Sequence, residues 1–444
     1  MTTGARAEMA GVESALAKFD YFELKVYDIH GYSKGRLVSR SRMRDVMRQG
    51  MGLHAAICFY GVRGQPNLHT ALTRNHRVTP VLSTLRQSQR AAYGERRVGS
   101  VLCEVRYPDN TLDTRTPREV TLAVLQQLGT EFGLKILSSF EAEFGVTDAT
   151  TLKPLAHENR WASLTVLKNG HGPLMGLTEV MREIGVHIDT LMSEFGRGQF
   201  EVTFDIAEGI EAADMATDFK LESYVYLKDK GYNAEFMTCV NPDSGCRNGF
   251  HFNFSLWDFE GANVFVNTSQ GKQLSDFGQH FLAGLVEHAS ALTAFCSPTI
   301  NCYRRVGTAF APTYANWAWE NRDSTFRVKL EAEANVYIEN RLPSSACNPH
   351  LVLASTLAAG LDGVRRNLTL PDPMEQTTRL PSTLDEALSA LEADKHLTQA
   401  LGQNFVDLFI YTKRQFECEE FKSFVELSPE EHLLKEKEYY YDPL

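Results

Sequence analysis

Five glutamates, one histidine and a set of arginines hold the chemistry this chain could perform. Phe140-Glu141-Ala142-Glu143-Phe144 alternates aromatic or small residues with acids. On a strand, Glu141 and Glu143 then share one face and Phe140, Ala142 and Phe144 the other. Two neighbouring carboxylates cannot both sit charged and unpaired in a core, although alone the pattern also reads as a solvated strand face. Glu194 and Glu201 frame Phe195-Gly196-Arg197-Gly198-Gln199-Phe200. Such a glycine-bracketed loop can bring backbone close to a ligand, or it is an ordinary turn. In Asn248-Gly249-Phe250-His251-Phe252-Asn253-Phe254-Ser255 the phenylalanines alternate with His251, Asn253 and Ser255, a strand with one apolar and one polar face. Tyr337-Ile338-Glu339-Asn340-Arg341 places Glu339 and Arg341 together. Arg304, Arg305, Arg322 and Arg327 offer bidentate partners for carboxylate or phosphate oxygens, or surface ion pairs.

Other chemistries are absent. There is no GxxxxGK[ST] phosphate loop and no HExxH helix. The eight cysteines are scattered without a CxxC pair, so neither a zinc site nor a redox dithiol is signalled, and free thiols fit a reducing compartment. The formal charge of −11 disfavours nucleic acid or an anionic membrane as the main partner. No apolar run reaches the roughly 18 residues of a membrane span, and Met1 to Arg6 lacks the apolar core of a signal peptide. A cytoplasmic protein is therefore expected.

The elements that must position these residues are partly legible. Residues 1–18 read as a loose tail or short helix. Phe22–Tyr27, Gly35–Val38 and Val101–Tyr107 read as strands of a small β-rich unit, closed by Pro108-Asp109-Asn110. Thr116-Pro117-Arg118-Glu119 reads as a capping box opening a helix with Val120, Val124, Leu125, Leu128 and Phe132 on one stripe. The boundary is placed there, giving domains 1–113 and 114–444. Further helices are expected over 273–295, over 347–366 with Pro349 in the first turn, and over 383–420.

Taken in order, Glu-x-Glu, the Glu194…Glu201 loop, Gly249-Phe250-His251-Phe252-Asn253, Arg304-Arg305…Asn321-Arg322…Arg327 and Ile338-Glu339-Asn340-Arg341 resemble the class I glutamine synthetase superfamily. Further matching stretches are Ser297–Arg305, Asn348–Ala354 and Leu357–Gly363, so the resemblance runs from about Val26 to about Phe421. It implies an α+β fold, with a small N-terminal β-grasp-like domain followed by a large catalytic domain built on a curved antiparallel sheet flanked by helices. It implies ATP and two to three Mg²⁺ or Mn²⁺ ions as cofactors. The positions matching the metal ligands are Glu141, Glu143, Glu194, Glu201, His251 and Glu339, an oxygen-rich set suited to those ions. Arg322 and Arg327 match positions facing the transferred phosphate, and Ser255 a nucleotide-side position. Arg305 and Arg341 match the residues that hold the carboxylates of glutamate, with Gln199 nearby. Arg322, Arg305 and Arg341 are the catalytic candidates.

Departures from the family pattern set the expected function. The flap usually reads aromatic–Glu–Ala–Pro; here Ala309-Phe310-Ala311-Pro312 lacks the glutamate that helps take a proton from ammonium. Cys246-Arg247 replaces the usual Asn-Gly, and Tyr60 stands where the ammonium-binding aspartate is expected. The resemblance therefore implies a ligase that forms an acyl phosphate, γ-glutamyl phosphate, and transfers it to an amine other than ammonia. Phe310, with Tyr314, Trp317 and Trp319 close in sequence, suggests an aromatic flap for a larger amine, or plain core packing. The tail Thr383–Phe421 is also similar to the lengsin branch, regarded as non-catalytic. An inactive structural or interaction protein of that type is the alternative, and an authentic glutamine synthetase the third. The superfamily's rings imply a homo-oligomer, a dodecamer or decamer, with active sites at subunit interfaces.

Overall fold

In a computed structural model of the chain, the described residues are 13–156, 161–169, 171–240, 247–267, 273–308, 310–332, 335–376, 378–424 and 426–440. The expected tail falls mostly outside them, as do Cys246 and Ala309. A first, six-stranded sheet comprises β1 (Tyr21–Tyr27), β2 (Ser33–Ser39), β3 (Met51–Leu53), β4 (His76–Pro80), β5 (Arg86–Gln87) and β6 (Val98–Arg106). Its order is β2-β1-β6-β4-β3, with β5 also on β6 and β1 parallel to β6. The three strands expected from alternation are present. β3, β4 and β5 had no sequence signal, being short and mixed in polarity.

The larger sheet begins with β7 (Leu134–Asp148), β8 (Ile188–Ser193), β9 (Gln199–Phe204), β10 (Ala207–Glu208), β11 (Tyr232–Glu235) and β12 (Phe250–Asp258). Three short strands follow, β13 (Val266–Asn267), β14 (Gln273–Leu274) and β15 (Tyr314–Ala315). The sheet resumes with β16 (Trp317–Trp319), β17 (Phe326–Ala332) and β18 (Asn335–Asn340), and β19 (Thr378–Arg379) pairs with β15. The order β16-β17-β18-β12-β7-β9-β8 curls into a half-barrel. One face is the aromatic core. Phe140, Phe144, Phe250, Phe252 and Phe254 are fully buried or nearly so, Phe140 lies 4.6 Å from Phe252, and Phe144 meets Phe219 of the Glu211–Asp229 helix edge-on at 5.4 Å.

Helices cover that apolar face. The Pro117–Phe132 helix has proline in its first turn, but Thr116 makes no side-chain cap, so the expected capping box is not formed. Its Thr121 hydroxyl donates to Pro117 O and to His350 O, which ties it to the Pro349–Arg366 helix. That helix crosses the Asp276–Glu287 helix through glycine: a Cβ on Gly284 would lie 2.3 Å from Ala359 O, and one on Gly363 2.2 Å from His280 O. The expected helix over 383–420 is three helices, a π turn and the start of a fourth helix at Glu419, broken at Asp394, which caps Leu397 N, and at Gly402, whose φ is +93°. Among the described residues, no helix is long and apolar enough to cross a membrane.

The helix expected over 273–295 is two, Asp276–Glu287 and Ala289–Cys296, hinged at His288. His288 is buried between Asp394 (2.5 Å) and Asp362 (2.9 Å). Burial alone would lower its pKa; Asp394 and then Asp362 outweigh that and hold it above 6.5. A folded pKa above the unfolded one gives stability that is fully present below about pH 6.5 and lost as pH rises through the folded value. His288→Leu is expected to cost about 3 kcal/mol at pH 6, chiefly by leaving Asp394 without its buried charged partner, since Asp362 keeps Arg366 at 2.9 Å. In thermal or urea denaturation, the gap between wild type and variant should narrow as pH rises. A gap that is constant with pH refutes the charged pair.

Candidate active site

Strand register gathers the acids. In the β7–β9 pair Glu143 lies opposite Glu201 and Glu141 opposite Thr203. In the β7–β12 pair His251 lies opposite Glu141, and in the β12–β18 pair Asn253 lies opposite Glu339. Arg327 of β17 lies opposite Glu339. Directly opposed residues share a face, so the same pleat that sends the phenylalanines into the core turns Glu141, Glu143, Glu201, His251, Glu339 and Arg327 to the other side. There all but Glu339, which is buried beneath its ion-pair partners Arg327, Lys329 and Arg341, line a pocket of about 730 Å³.

The acids fall into two groups with different charge balance. In the first, ligand atoms of Glu141, His251 and Glu339 lie within 4.8 Å of one another. Arg305 Nη2 donates to His251 Nε2 (3.1 Å), which leaves Nδ1–H facing Glu141 and Glu339 at 3.4 Å each. Asn253 Nδ2 donates to Glu141 (2.9 Å). Glu339 is ion-paired to Arg341, to Arg327 (3.2 Å) and to Lys329 (3.7 Å), and Lys329 also reaches Glu141 at 3.6 Å. Burial alone would raise the Glu141 pKa, but His251 and then Lys329 hold it well below the usual carboxylate range.

The second group is Glu143, Glu194 and Glu201. Gly249 N donates to Glu143 Oε2 (2.8 Å), and so does Gln199 Nε2 (3.1 Å). A Cβ on Gly249 would meet His251 Nε2 at 2.9 Å and Glu143 Oε1 at 3.1 Å, so only glycine leaves this wall open. Glu194 accepts from Trp161 Nε1 (3.2 Å) and from Phe195 N (3.0 Å). Burial, and then the surrounding glutamates, push Glu201 up to about 9. Burial, and then Glu143, push Glu194 up to about 7. Acids forced toward protonation in this way are what a divalent cation relieves. The all-oxygen donor set of this group fits Mg²⁺ or Mn²⁺.

Two arginines at the pocket have no carboxylate within ion-pair distance among the described residues, Arg305 and Arg322. Arg305 is held by Arg341 O (3.2 Å) and Leu342 O (3.5 Å), and burial lowers its pKa. Arg341 donates to Glu339 and to Phe310 O (3.2 Å). Arg304 pairs with Glu436 (2.8 Å), away from the pocket. Ser255 is also elsewhere: it is buried, accepts from Trp257 Nε1 (2.8 Å) and does not line the pocket.

The pocket's aromatic wall differs from the sequence expectation. Trp317 and Trp319 lie on β16, where Trp317 Nε1 donates to Pro371 O, and neither they nor Tyr314 line the pocket. Instead Trp161, Phe195 and Phe310 stack in near-parallel planes with centroids 5.8 Å apart at each step, and each ring is about half exposed. Phe310 holds a φ of +62°, a conformation that costs an L-residue about 1–3 kcal/mol. Sequence reasoning missed Trp161, Phe195 and Lys329. Lys329 was discoverable, two residues after Arg327 on one strand, whereas nothing near Trp161 signalled its position.

The sequence model of the glutamine synthetase catalytic domain matches residues 114–431. Glutamine synthetase of Methanococcus voltae is 30% identical over 336 residues, covering 72% of this chain and 75% of that protein. Human lengsin is 29% identical over 439 residues, covering 92% and 82%. Among solved structures, one described as a novel glutamine synthase homolog superposes with a TM-score of 0.83 at 22% identity over 95% of this chain and 99% of that one. Ligand-free GmaS gives 0.80 at 25% over 94% and 97%. With its strand register and acidic pocket, the chain belongs to the glutamine synthetase family, a family of ATP-dependent ligases.

Proposed function

We propose that this protein joins a carboxylate, glutamate, to an amine other than ammonia at the expense of ATP. The observation that carries this reading is the stack of Trp161, Phe195 and Phe310 on the pocket wall, in a chain whose flap sequence lacks the acid. Exposed aromatic faces bury an apolar amine body and offer nothing to a bare ammonium beyond cation–π attraction.

In the reaction, a side-chain carboxylate oxygen attacks the γ-phosphorus of ATP, giving an acyl phosphate and ADP. The amine nitrogen then attacks the acyl carbon, phosphate leaves, and the nitrogen loses a proton. Arg305, buried and free of an acid partner, holds the substrate carboxylate. Arg322, also unpaired, and Arg327 neutralise charge on the phosphoryl group in transfer. Arg341 fixes Glu339 and the Phe310 carbonyl, so it positions the acid and the aromatic wall together. Glu141, Glu143, Glu194, Glu201, His251 and Glu339 would hold divalent cations, which supply charge neutralisation for the phosphates. Residues 1–113 and 114–444 act as two domains of a ring-forming homo-oligomer, whose size light scattering measures.

The test is phosphate release from ATP by the purified protein with Mg²⁺ or Mn²⁺ and glutamate, across ammonia, methylamine, butylamine and benzylamine. Release with the larger amines should exceed that with ammonia at least tenfold. Equal or faster turnover with ammonia overturns the reading in favour of a glutamine synthetase. One observation favours a second reading, a non-catalytic protein of the lengsin type: Lys329 already pairs with Glu141 and Glu339. No thermal shift with either Mn²⁺ or ATP would establish it.

A further inference from the structure

A second cavity lies away from the acidic pocket, and nothing in the ligase reading uses it. It is enclosed by the His30–Tyr32 turn and Val62 of the N-terminal part, by Lys220 and Tyr224 of the Glu211–Asp229 helix, by 234–237, and by Thr299, Ala346, Lys413 and Tyr440. Its volume of about 60 Å³ compares with the roughly 10–15 Å³ that admits one water. It therefore has room for a molecule of a few heavy atoms.

One of the cations around it has no acid within ion-pair distance among the described residues. Lys413 is neutralised: it pairs with Glu417 at 2.5 Å and donates to His30 Nδ1 at 3.1 Å. His30 Nε2–H donates to Tyr60 O (3.0 Å), so this imidazole is neutral with both nitrogens used. Glu417 also accepts from Tyr440 Oη (2.6 Å). Glu235, 8% exposed, also lines the cavity; its carboxylate accepts from the Thr147 hydroxyl (2.5 Å) and lies against Gly145, and it is not within ion-pair distance of Lys220. Lys220 is left over. It is 6% exposed, and among the described residues its ammonium donates to one backbone carbonyl, Cys347 O (2.7 Å). Its other neighbours are the faces of Phe236 and Phe250, at 5.7 and 5.6 Å, and no carboxylate lies within ion-pair distance. A buried ammonium with one neutral acceptor is costly unless an anion completes it. Burial alone already lowers its pKa.

We propose that this cavity binds a small organic monocarboxylate, whose charge pairs with Lys220 and whose short apolar body packs against Val62, Phe236 and Met237. An ammonium with no acid in ion-pair reach calls for one negative charge beside it, and the mostly apolar walls favour a carboxylate with a hydrocarbon tail over phosphate or sulfate. The site is linked to the acidic pocket. Asn248 Nδ2 donates to Met237 O (2.9 Å) in the cavity wall, while Asn248 Oδ1 accepts from Gln199 Nε2 (2.9 Å), which also donates to Glu143. Occupancy thus bears on the position of a candidate metal ligand.

The experiment is thermal unfolding of the full-length protein with sodium propionate, butyrate or phosphate at constant ionic strength, with chloride as reference. Propionate or butyrate at tens of millimolar should raise the midpoint by roughly 1–2 °C, and phosphate should not. The shift should vanish in Lys220→Met and in Ala346→Leu, which fills the cavity without touching the charge. It should persist in Arg305→Gln, which removes the other carboxylate site. If Lys220→Met does not fold, Ala346→Leu decides. Overturning results are no shift in wild type, an equal shift with phosphate, a shift retained in Ala346→Leu, or one lost in Arg305→Gln.

Discussion

Lys329→Met should tighten manganese binding by roughly ten- to a hundredfold. The Lys329 ammonium stands 3.6 Å from Glu141 and 3.7 Å from Glu339, the two residues whose ligand atoms converge with that of His251. It is largely buried, and although burial alone would lower its pKa, Glu141 and then Glu339 raise it, so it stays charged. At about 4 Å and an effective dielectric near 20, a unit charge is worth about 4 kcal/mol. An incoming cation must displace or repel it, and a pocket open to water recovers only part of that energy. Methionine keeps the apolar stem over the Tyr337 ring, where Lys329 Nζ lies 5.0 Å from the centroid, and removes the charge alone. Calorimetric titration of Mn²⁺ into both proteins at one pH and ionic strength gives the ratio. In wild type the first ion should enter at Glu143, Glu194 and Glu201, where the unrelieved acids lie, so Glu201→Gln should weaken that first event. Equal affinity in wild type and Lys329→Met would mean the lysine swings aside, and the second reading would lose its main support.

The other large effect concerns the aromatic wall. Phe310→Gly should raise KM for a bulky amine by about ten- to a hundredfold while leaving KM for ATP within about twofold. Burying an aromatic or apolar group against such a face is worth about 1.5–3 kcal/mol. Glycine is the informative replacement, because it accepts the φ of +62° that Phe310 bears, so the loop keeps its course and the loss reports the ring. Alanine would mix loss of the ring with a strained backbone. Steady-state kinetics with glutamate saturating separate the two constants. An unchanged amine KM, or equal rises in the amine and ATP constants, would assign Phe310 to loop structure and leave amine choice to other residues.

Much of the site was legible before any fold was known, for a simple reason. Strands have a period of two, so Phe140 to Phe144 and Phe250 to Ser255 each declared one apolar and one functional face. Both proved to be central strands of the large sheet with the expected faces. The helices were read well where a proline or asparagine marked the start, as at Asn348-Pro349, whose asparagine does cap His350 N. They were read badly where tertiary contacts interrupt them. His288 looks like a helical residue until Asp362 of the Pro349–Arg366 helix and Asp394 of the break between two later helices draw it into a hinge. The Thr116 cap was signalled and not formed.

By itself the sequence determined the candidates for cation and phosphate binding and the strand faces that carry the acids, because residue type and alternation are local properties that strand formation preserves. Tertiary structure alone decided how their charges are settled. The pairing of Lys329 with Glu141 and Glu339, the isolation of Lys220 and Arg305, and the stacking of Trp161 on Phe195 and Phe310 depend on distances between segments far apart in the chain. Coulomb energy, desolvation and ring stacking act through space, so no spacing along the chain encodes them.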